Sequence, residues 1–146
     1  LVYQYLHLAT TLKVNSIIQY EMDLLVIDDN KSILDMICTY MNTKGHNAIG
    51  VTDGRNGLQM IKQKKFDIIL LDLAMPEFSG YDVIDDLIKN NSLKDNNIVV
   101  LTASLITSED EEKIIQKGVK LCLRKPIDPD ELITHLTNLN AIKTSK

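Results

Sequence analysis

The chain has 146 residues, with 16 Lys and Arg against 20 Asp and Glu, a formal net charge of −4 and 45% hydrophobic residues. This length allows one domain with a short appendage, and the ordinary hydrophobic content excludes disordered and fibrous classes. The acidic balance argues against nucleic acid or an anionic membrane as the main partner, and no apolar run is long enough to predict membrane insertion.

The first 21 residues differ from the rest of the chain. They hold three of the five tyrosines and only two charged residues, without a clear helical or alternating period. A regular pattern begins near Met22, which is a candidate native start. We therefore expect an N-terminal extension or appended segment (1–21), one folded domain (22–140) and a C-terminal tail (141–146). The alternative for the first segment is an arm that makes dimer contacts.

The location is predicted from the cysteines and the N-terminus. Cys38 and Cys122 lie far apart and form no C-x-x-C pair or Cys/His cluster, which favours a reducing compartment. The N-terminus lacks a basic stretch followed by an apolar run, so no signal peptide is predicted. We expect a cytoplasmic protein.

Five short strands are predicted along the domain. Three uninterrupted apolar runs, 24–27, 68–71 and 98–101, are typical of parallel strands buried on both faces. Two weaker candidates are 46–51 and 119–123.

Helical patterns alternate with these strands. They are predicted at 31–43, 54–64 and 80–90, then after a Ser108/Glu111 capping box as far as Lys117, and finally from the Asp128 cap and Pro129. Strands alternating with helices predict an α/β fold with a parallel sheet and right-handed crossovers. We expect a doubly wound, flavodoxin-like sheet of five strands in the order 2-1-3-4-5, with five helices.

Polar side chains collect where the strands end. They are Asp28 and Asp29 after the first strand, Asp72 after the third, Thr102 after the fourth and Lys125 after the fifth. In open α/β sheets this edge holds the ligand crevice, and the first and third strands are neighbours in the expected order. The alternative is that the first two aspartates, with Asn30, only cap a helix while the third is a turn residue.

Three carboxylates in one pocket repel one another unless a cation lies between them. Magnesium is a hard divalent ion that typically takes one or two carboxylates, waters and phosphoryl oxygens. The pattern therefore indicates a Mg²⁺ site.

Four segments resemble the receiver domain of two-component response regulators, especially the stand-alone, chemotaxis-regulator-like kind. They are Val26–Asn30, Leu71–Gly80 with its D-x-x-M-P-x-x-x-G pattern, Leu101–Ala103 and Lys125–Pro126. The resemblance covers about residues 22–140.

The resemblance implies a role for each of these residues. Asp72 would accept a phosphoryl group, while Thr102 and Lys125 would contact its oxygens. The implied ligands of Mg²⁺ are Asp29, Asp72, the backbone carbonyl of Ala74 and, through water, Asp28. The Lys125–Pro126 bond resembles one that is commonly cis in this family.

Cys122 departs from the family pattern. Receivers usually carry Tyr, Phe or His three residues before the lysine, where the ring moves inward as the threonine hydroxyl turns toward the phosphoryl group. A cysteine cannot fill and vacate such a space. Either another residue packs there or the switching mechanism differs.

The expected function is a phosphorylation-controlled binding module rather than a turnover enzyme. Only residues 141–146 follow the last helix, so we expect a stand-alone receiver. Its expected partners are a sensor histidine kinase or phosphotransfer protein, a downstream protein and, through a homodimer, a second copy. One alternative is a scaffold that works without phosphorylation. The other is a haloacid-dehalogenase-type enzyme, but Ala74 stands where that class needs an acid.

Overall fold

The computed structural model describes residues 20–144, so most of the predicted N-terminal segment, 1–21, lies outside the described residues. The five strands are β1 (Asp23–Ile27), β2 (Asn47–Val51), β3 (Ile68–Leu71), β4 (Ile98–Thr102) and β5 (Leu121–Arg124). They form one parallel sheet in the order β2-β1-β3-β4-β5. The predicted fold class and strand order are confirmed.

Five helices alternate with the strands. They are α1 (Lys31–Thr43), α2 (Gly54–Gln63), α3 (Gly80–Lys89), α4 (Ser108–Lys117) and α5 (Pro129–Thr144). A short 3-10 helix, Leu93–Asp95, precedes β4. The sequence predicts that the last helix ends before residue 141, whereas α5 continues to Thr144. The other predicted boundaries lie within two residues of these bounds, and the largest of these differences is in β5, which begins at residue 121 instead of 119. Over residues 20–144, no helix has the length and apolar content needed to cross a membrane.

The predicted cap of α4 is wrong by one residue. Thr107, not Ser108, is the N-cap: its hydroxyl oxygen accepts a hydrogen bond from the Asp110 backbone N at 3.1 Å. The Thr107 hydroxyl also lies 2.8 Å from Asp110 Oδ2. A Thr-x-x-Asp pattern and a Ser-x-x-Glu pattern overlap here with a shift of one residue. The extended backbone of Thr107 decides which of them caps the helix.

The sheet separates two hydrophobic cores. On β1, Leu24 and Val26 face one core while Leu25 and Ile27 face the other, as the two-residue period of a strand requires. Helices α1 and α5 cover the first core, and helices α2, α3 and α4 cover the second. Strands β1, β3 and β4 are buried on both faces. They therefore contain no polar residue except at their ends.

The register of the sheet brings the strand ends together. Ile27 pairs with Leu71, so the residues that follow them, Asp28 and Asp72, leave the sheet side by side. Thr102 pairs with Arg124, which places Lys125 next to the end of β4. The polar residues predicted at the carboxyl ends of the strands therefore share one edge.

Candidate functional site

Three carboxylates converge at this edge. Asp28, Asp29 and Asp72 each offer an oxygen within 4.8 Å of the others. Asp28 and Asp72 are 3% and 7% exposed, whereas Asp29 lies open to solvent. The backbone holds the two buried residues in place: the Asp72 N donates to the Ile27 O at 2.9 Å and the Asp28 N to the Val51 O at 3.1 Å. The sequence prediction that these aspartates converge agrees with this geometry.

Lys125 is the cation of the cluster. Its Nζ lies 2.5 Å from Asp28 Oδ2 and 3.3 Å from Asp72 Oδ2, and its side chain is only 11% exposed. One ammonium cannot balance three carboxylates, so the pocket keeps a net negative charge. In a partly dry pocket such an excess favours binding of a further cation. The peptide bond from Lys125 to Pro126 is cis.

Thr102 and Ala74 complete the set of sequence-predicted residues. Thr102 is fully buried at the end of β4, and its Oγ1 accepts from the Ser104 backbone N at 3.1 Å. The Ala74 N donates to Asp72 Oδ1 at 3.4 Å. An open pocket of about 400 Å³ lies over the cluster; its walls include Asn30, Ala74, Ala103 and Ser104.

The alternative that these polar residues only cap a helix holds for only part of the cluster. Asn30 is the N-cap of α1, and its Oδ1 accepts from the Ile33 N at 3.2 Å. Asp28 accepts from the Asn30 N at 2.8 Å through Oδ1, while its other oxygen bonds to Lys125. Asp28 therefore has both a local and a long-range partner, and helix capping alone does not explain it.

Gly80 contributes to the site through its lack of a side chain. A Cβ at this position would lie 2.2 Å from the Asp72 backbone oxygen and 2.8 Å from the Leu73 Cα. The Gly80 N also donates to the Leu73 O at 3.1 Å. The sequence shows this glycine in the D-x-x-M-P-x-x-x-G pattern, but only the structure explains why a residue without a side chain is needed here. The start of α3 packs against the backbone of Asp72.

Cys122 lies half-buried on β5, opposite Val100, and packs against the core that α2, α3 and α4 cover. Burial, with a smaller contribution from Glu111, raises the pKa of its thiol to about 11. The thiol is therefore protonated at neutral pH and is a poor nucleophile.

This geometry agrees with the similarity of the chain to a known protein family. Residues 24–137 match the family model of the response regulator receiver domain. The chain belongs to this family. It is 34% identical over 118 residues to the response regulator SaeR of Staphylococcus epidermidis, and 31% identical over 116 residues to SaeR of Staphylococcus aureus. These matches cover 81% and 80% of this chain but only 50% and 49% of the relatives, so the chain spans about half their length.

Solved receiver structures share the whole fold. The receiver domain of the Francisella response regulator 1452 superposes with a TM-score of 0.76 at 28% identity, covering 84% of this chain and 99% of that one. The chemotaxis protein CheY4 of Vibrio cholerae superposes with a TM-score of 0.73 at 25% identity, covering 82% and 98% of the two chains. These matches support the receiver fold, and the family-model match over residues 24–137 spans the whole acidic pocket.

Proposed function

We propose that this receiver takes a phosphoryl group onto Asp72 from the phosphohistidine of a sensor kinase or phosphotransfer protein. The observation that supports this assignment is the pairing of a nearly buried Asp72 carboxylate with the Lys125 ammonium beside two further carboxylates. The pocket is open on one side, so a partner's imidazole can approach.

The chemistry follows from the positions of these side chains. An oxygen of Asp72 attacks phosphorus, a P–O bond forms, the P–N bond to the histidine breaks, and the imidazole leaves. Lys125 lies close enough to Asp72 to neutralise charge on the transferred group. Thr102 and the backbone N–H groups of the loop after β4 are the candidate donors to the remaining phosphoryl oxygens. Water later hydrolyses the acyl phosphate, which returns the aspartate.

Magnesium fits the pocket because the donors are hard carboxylate oxygens with uncompensated negative charge. We assign direct contacts to Asp29, Asp72 and the Ala74 carbonyl, and a contact through water to Asp28. The bound ion would neutralise the phosphoryl oxygens during transfer. The exposed position of Asp29 suits a ligand that binds and releases the ion from solvent.

The output of the domain is proposed to be contact with a partner protein that depends on phosphorylation. In this proposal the domain works in the cytoplasm as a signalling module and not as a turnover enzyme. The division of the chain at residues 21 and 140, the stand-alone organisation and the homodimer stay predictions.

Intact-mass measurement with acetyl phosphate or phosphoramidate tests the proposal. With Mg²⁺ the protein should gain an adduct of ~80 Da, one phosphoryl group. Asp72→Asn should fold normally and gain none. Asp85→Asn, which makes the same change on the exposed side of α3, should behave as wild type.

The alternatives give different results in this assay. A scaffold that works without phosphorylation would give no adduct with any donor. A dehalogenase-type hydrolase would consume the donor with rapid turnover. An adduct that persists in Asp72→Asn would contradict the assignment of the phosphoacceptor.

A further inference from the structure

The loop between β4 and α4, residues 103–107, has two sets of contacts. Toward the acidic pocket, Ala103 and Ser104 form part of the wall. Toward β5, the backbone carbonyls of Ser104 and Ile106 accept hydrogen bonds from the Arg124 guanidinium at 3.3 Å and 2.9 Å. The loop that forms part of the pocket wall is therefore also bonded to an arginine that is not itself part of the pocket.

Arg124 ends β5 and directly precedes Lys125. Successive strand residues point in opposite directions, so Lys125 reaches the carboxylates while Arg124 reaches the loop. Its Nη2 also lies 3.6 Å from Glu111 Oε2 in the first turn of α4. A planar guanidinium with five N–H donors can bridge two carbonyls and a carboxylate, which a lysine ammonium does less well. Arg124 thus joins the loop, β5 and α4.

A hydrogen bond joins Thr102, at the end of β4, to Ser104 in the loop. Thr102 Oγ1 accepts from the Ser104 N at 3.1 Å. Phosphoryl oxygens carry charge and accept stronger hydrogen bonds than a neutral hydroxyl does. A phosphoryl group on Asp72 would therefore compete for the Ser104 amide and draw the start of the loop toward the pocket. Such a shift would break or lengthen the hydrogen bonds that the Ser104 and Ile106 carbonyls accept from Arg124.

We propose that Arg124 is a positioning residue that holds the β4–α4 loop in the conformation in which the Ser104 amide bonds to Thr102, and so opposes phosphoryl binding. This inference rests on the proposed function of Asp72. When the contacts of Arg124 are lost, the loop is free to close on the phosphoryl group. Because Glu111 shares the contact, the same shift changes the first turn of α4, in which Glu109 and Asp110 are exposed and Glu111 is partly exposed. The arginine thus links the pocket to the outer surface.

Fluoroberyllate with Mg²⁺, a stable mimic of a bound phosphoryl group, provides the test by titration calorimetry. Arg124→Ala should bind it about three- to tenfold more tightly than wild type, since contacts made only in the free state are removed. Arg124→Lys, which keeps the charge but bridges fewer acceptors, should show a smaller gain. Lys120→Ala removes an exposed cation just before β5 and should bind as wild type. A Kd for Arg124→Ala within twofold of wild type, or weaker, overturns the proposal.

Amide hydrogen exchange separates this role from simple stabilisation of the fold. Arg124→Ala should speed exchange in residues 103–107 of the free protein, and the difference from wild type should vanish when fluoroberyllate is bound. Faster exchange in both states, or throughout the domain, would show a merely structural role and contradict the proposal. If wild type itself binds no fluoroberyllate and takes no phosphoryl group, the proposed function of Asp72 fails. If wild type binds and Arg124→Ala matches it, only the role of Arg124 fails.

Discussion

The two edges of the sheet both carry aspartates but use them in opposite ways. At the carboxyl edge, Asp28, Asp29 and Asp72 crowd together, and the Lys125 ammonium pairs with Asp28 and Asp72. At the amino edge, the aspartates connect neighbouring elements, and no carboxylates are brought together in a comparable cluster among residues 20–144. The same residue type is therefore placed in repulsive surroundings at one edge and in attractive surroundings at the other.

The amino edge is held together by local pairs. The Asp23 carboxylate accepts from Asn47 Nδ2 at 2.7 Å and lies 3.0 Å from Lys64 Nζ. The hydrogen bond from Asn47 and then the contact with Lys64 lower the pKa of Asp23. Asp67 Oδ2 accepts from the Asp23 backbone N at 2.9 Å. These contacts join β1 to β2, to the end of α2 and to the segment that precedes β3.

The difference shows how one fold separates stability from reactivity. Paired carboxylates at the amino edge favour the folded state. Crowded carboxylates at the carboxyl edge oppose it and leave negative charge that a cation can engage. Local conflicts of this kind are expected at functional sites, where they persist for the chemistry they allow.

The largest expected effect comes from Gly80→Ala at the carboxyl edge. The new Cβ would clash with the Asp72 backbone, which cannot move without displacing β3. We expect a loss of about 3 kcal/mol in the free energy of unfolding, measured with urea. Gly45→Ala is the control: its φ of +85° is unfavourable for alanine, but a Cβ there meets nothing within 4 Å. It should cost only about 1 kcal/mol. Equal costs would contradict the close packing at Asp72.

Matched Asp→Asn substitutions at the two edges should have effects of opposite sign. Without Mg²⁺, Asp29→Asn relieves repulsion and should stabilise the protein by about 0.5 kcal/mol. Asp23→Asn loses its charge pairing with Lys64 and should destabilise it by about as much. Adding Mg²⁺ at ten times its Kd should raise the stability of wild type by about 1.4 kcal/mol.

Thermal unfolding with and without Mg²⁺ measures these effects. Asp23→Asn should keep the stabilisation by Mg²⁺, and Asp29→Asn should lose most of it. Shifts of the same sign for both variants in metal-free buffer would show that the two edges do not differ as described. An undiminished Mg²⁺ response in Asp29→Asn would remove this residue from the ligand set.

The pH dependence of stability should include a contribution from His46 at the amino edge. Its Nδ1 accepts from the Met22 N at 3.3 Å, and its Nε2 is buried without a hydrogen-bond partner among the described residues. Burial lowers the pKa of His46 below its ordinary value of 6.5, although Glu21 opposes the shift. The unfolded chain then binds the proton more readily, so this contribution is complete above pH 6.5 and is lost as the pH falls below it.

Urea unfolding at pH 7.5 and pH 5.0 provides the measurement. His46→Asn keeps an acceptor for Met22 but cannot titrate, so it should lose less stability between these pH values than wild type does. The lowered pKa of Asp23 also causes a loss of stability, but only at lower pH, below the ordinary pKa value of 3.8. An unchanged pH dependence in His46→Asn would contradict the role of this histidine.

The smallest effect is expected at Cys122. Cys122→Ala should leave phosphorylation and phosphorylation-dependent partner binding within about twofold of wild type, roughly 0.4 kcal/mol. The reason is that a small side chain with one rotor cannot act as a moving ring. Intact-mass phosphorylation assays and partner titrations measure the two properties. A large loss of partner binding with normal phosphorylation would show that Cys122 belongs to the switch.

The sequence alone determined the layers of the fold and the edge that holds the site. Uninterrupted apolar runs indicate buried parallel strands, and aspartates directly after two of them indicate the carboxyl edge. These signals are readable because they depend on short periods and on residues next to each other in the chain. The cap of α4 shows their limit, because two overlapping patterns differ by one residue and only the backbone of Thr107 selects between them.

Only the tertiary structure decided which groups meet across the fold. Lys125 bonds to Asp28 from 97 residues away, and Arg124 reaches back over the β4–α4 loop to Ser104 and Ile106. The close approach of Gly80 to Asp72 likewise depends on how α3 packs against the end of β3. Such contacts depend on strand register and helix packing, and both of these result from many weak interactions. No local pattern of residues predicts these contacts, because each contact joins segments that meet only after the core has formed.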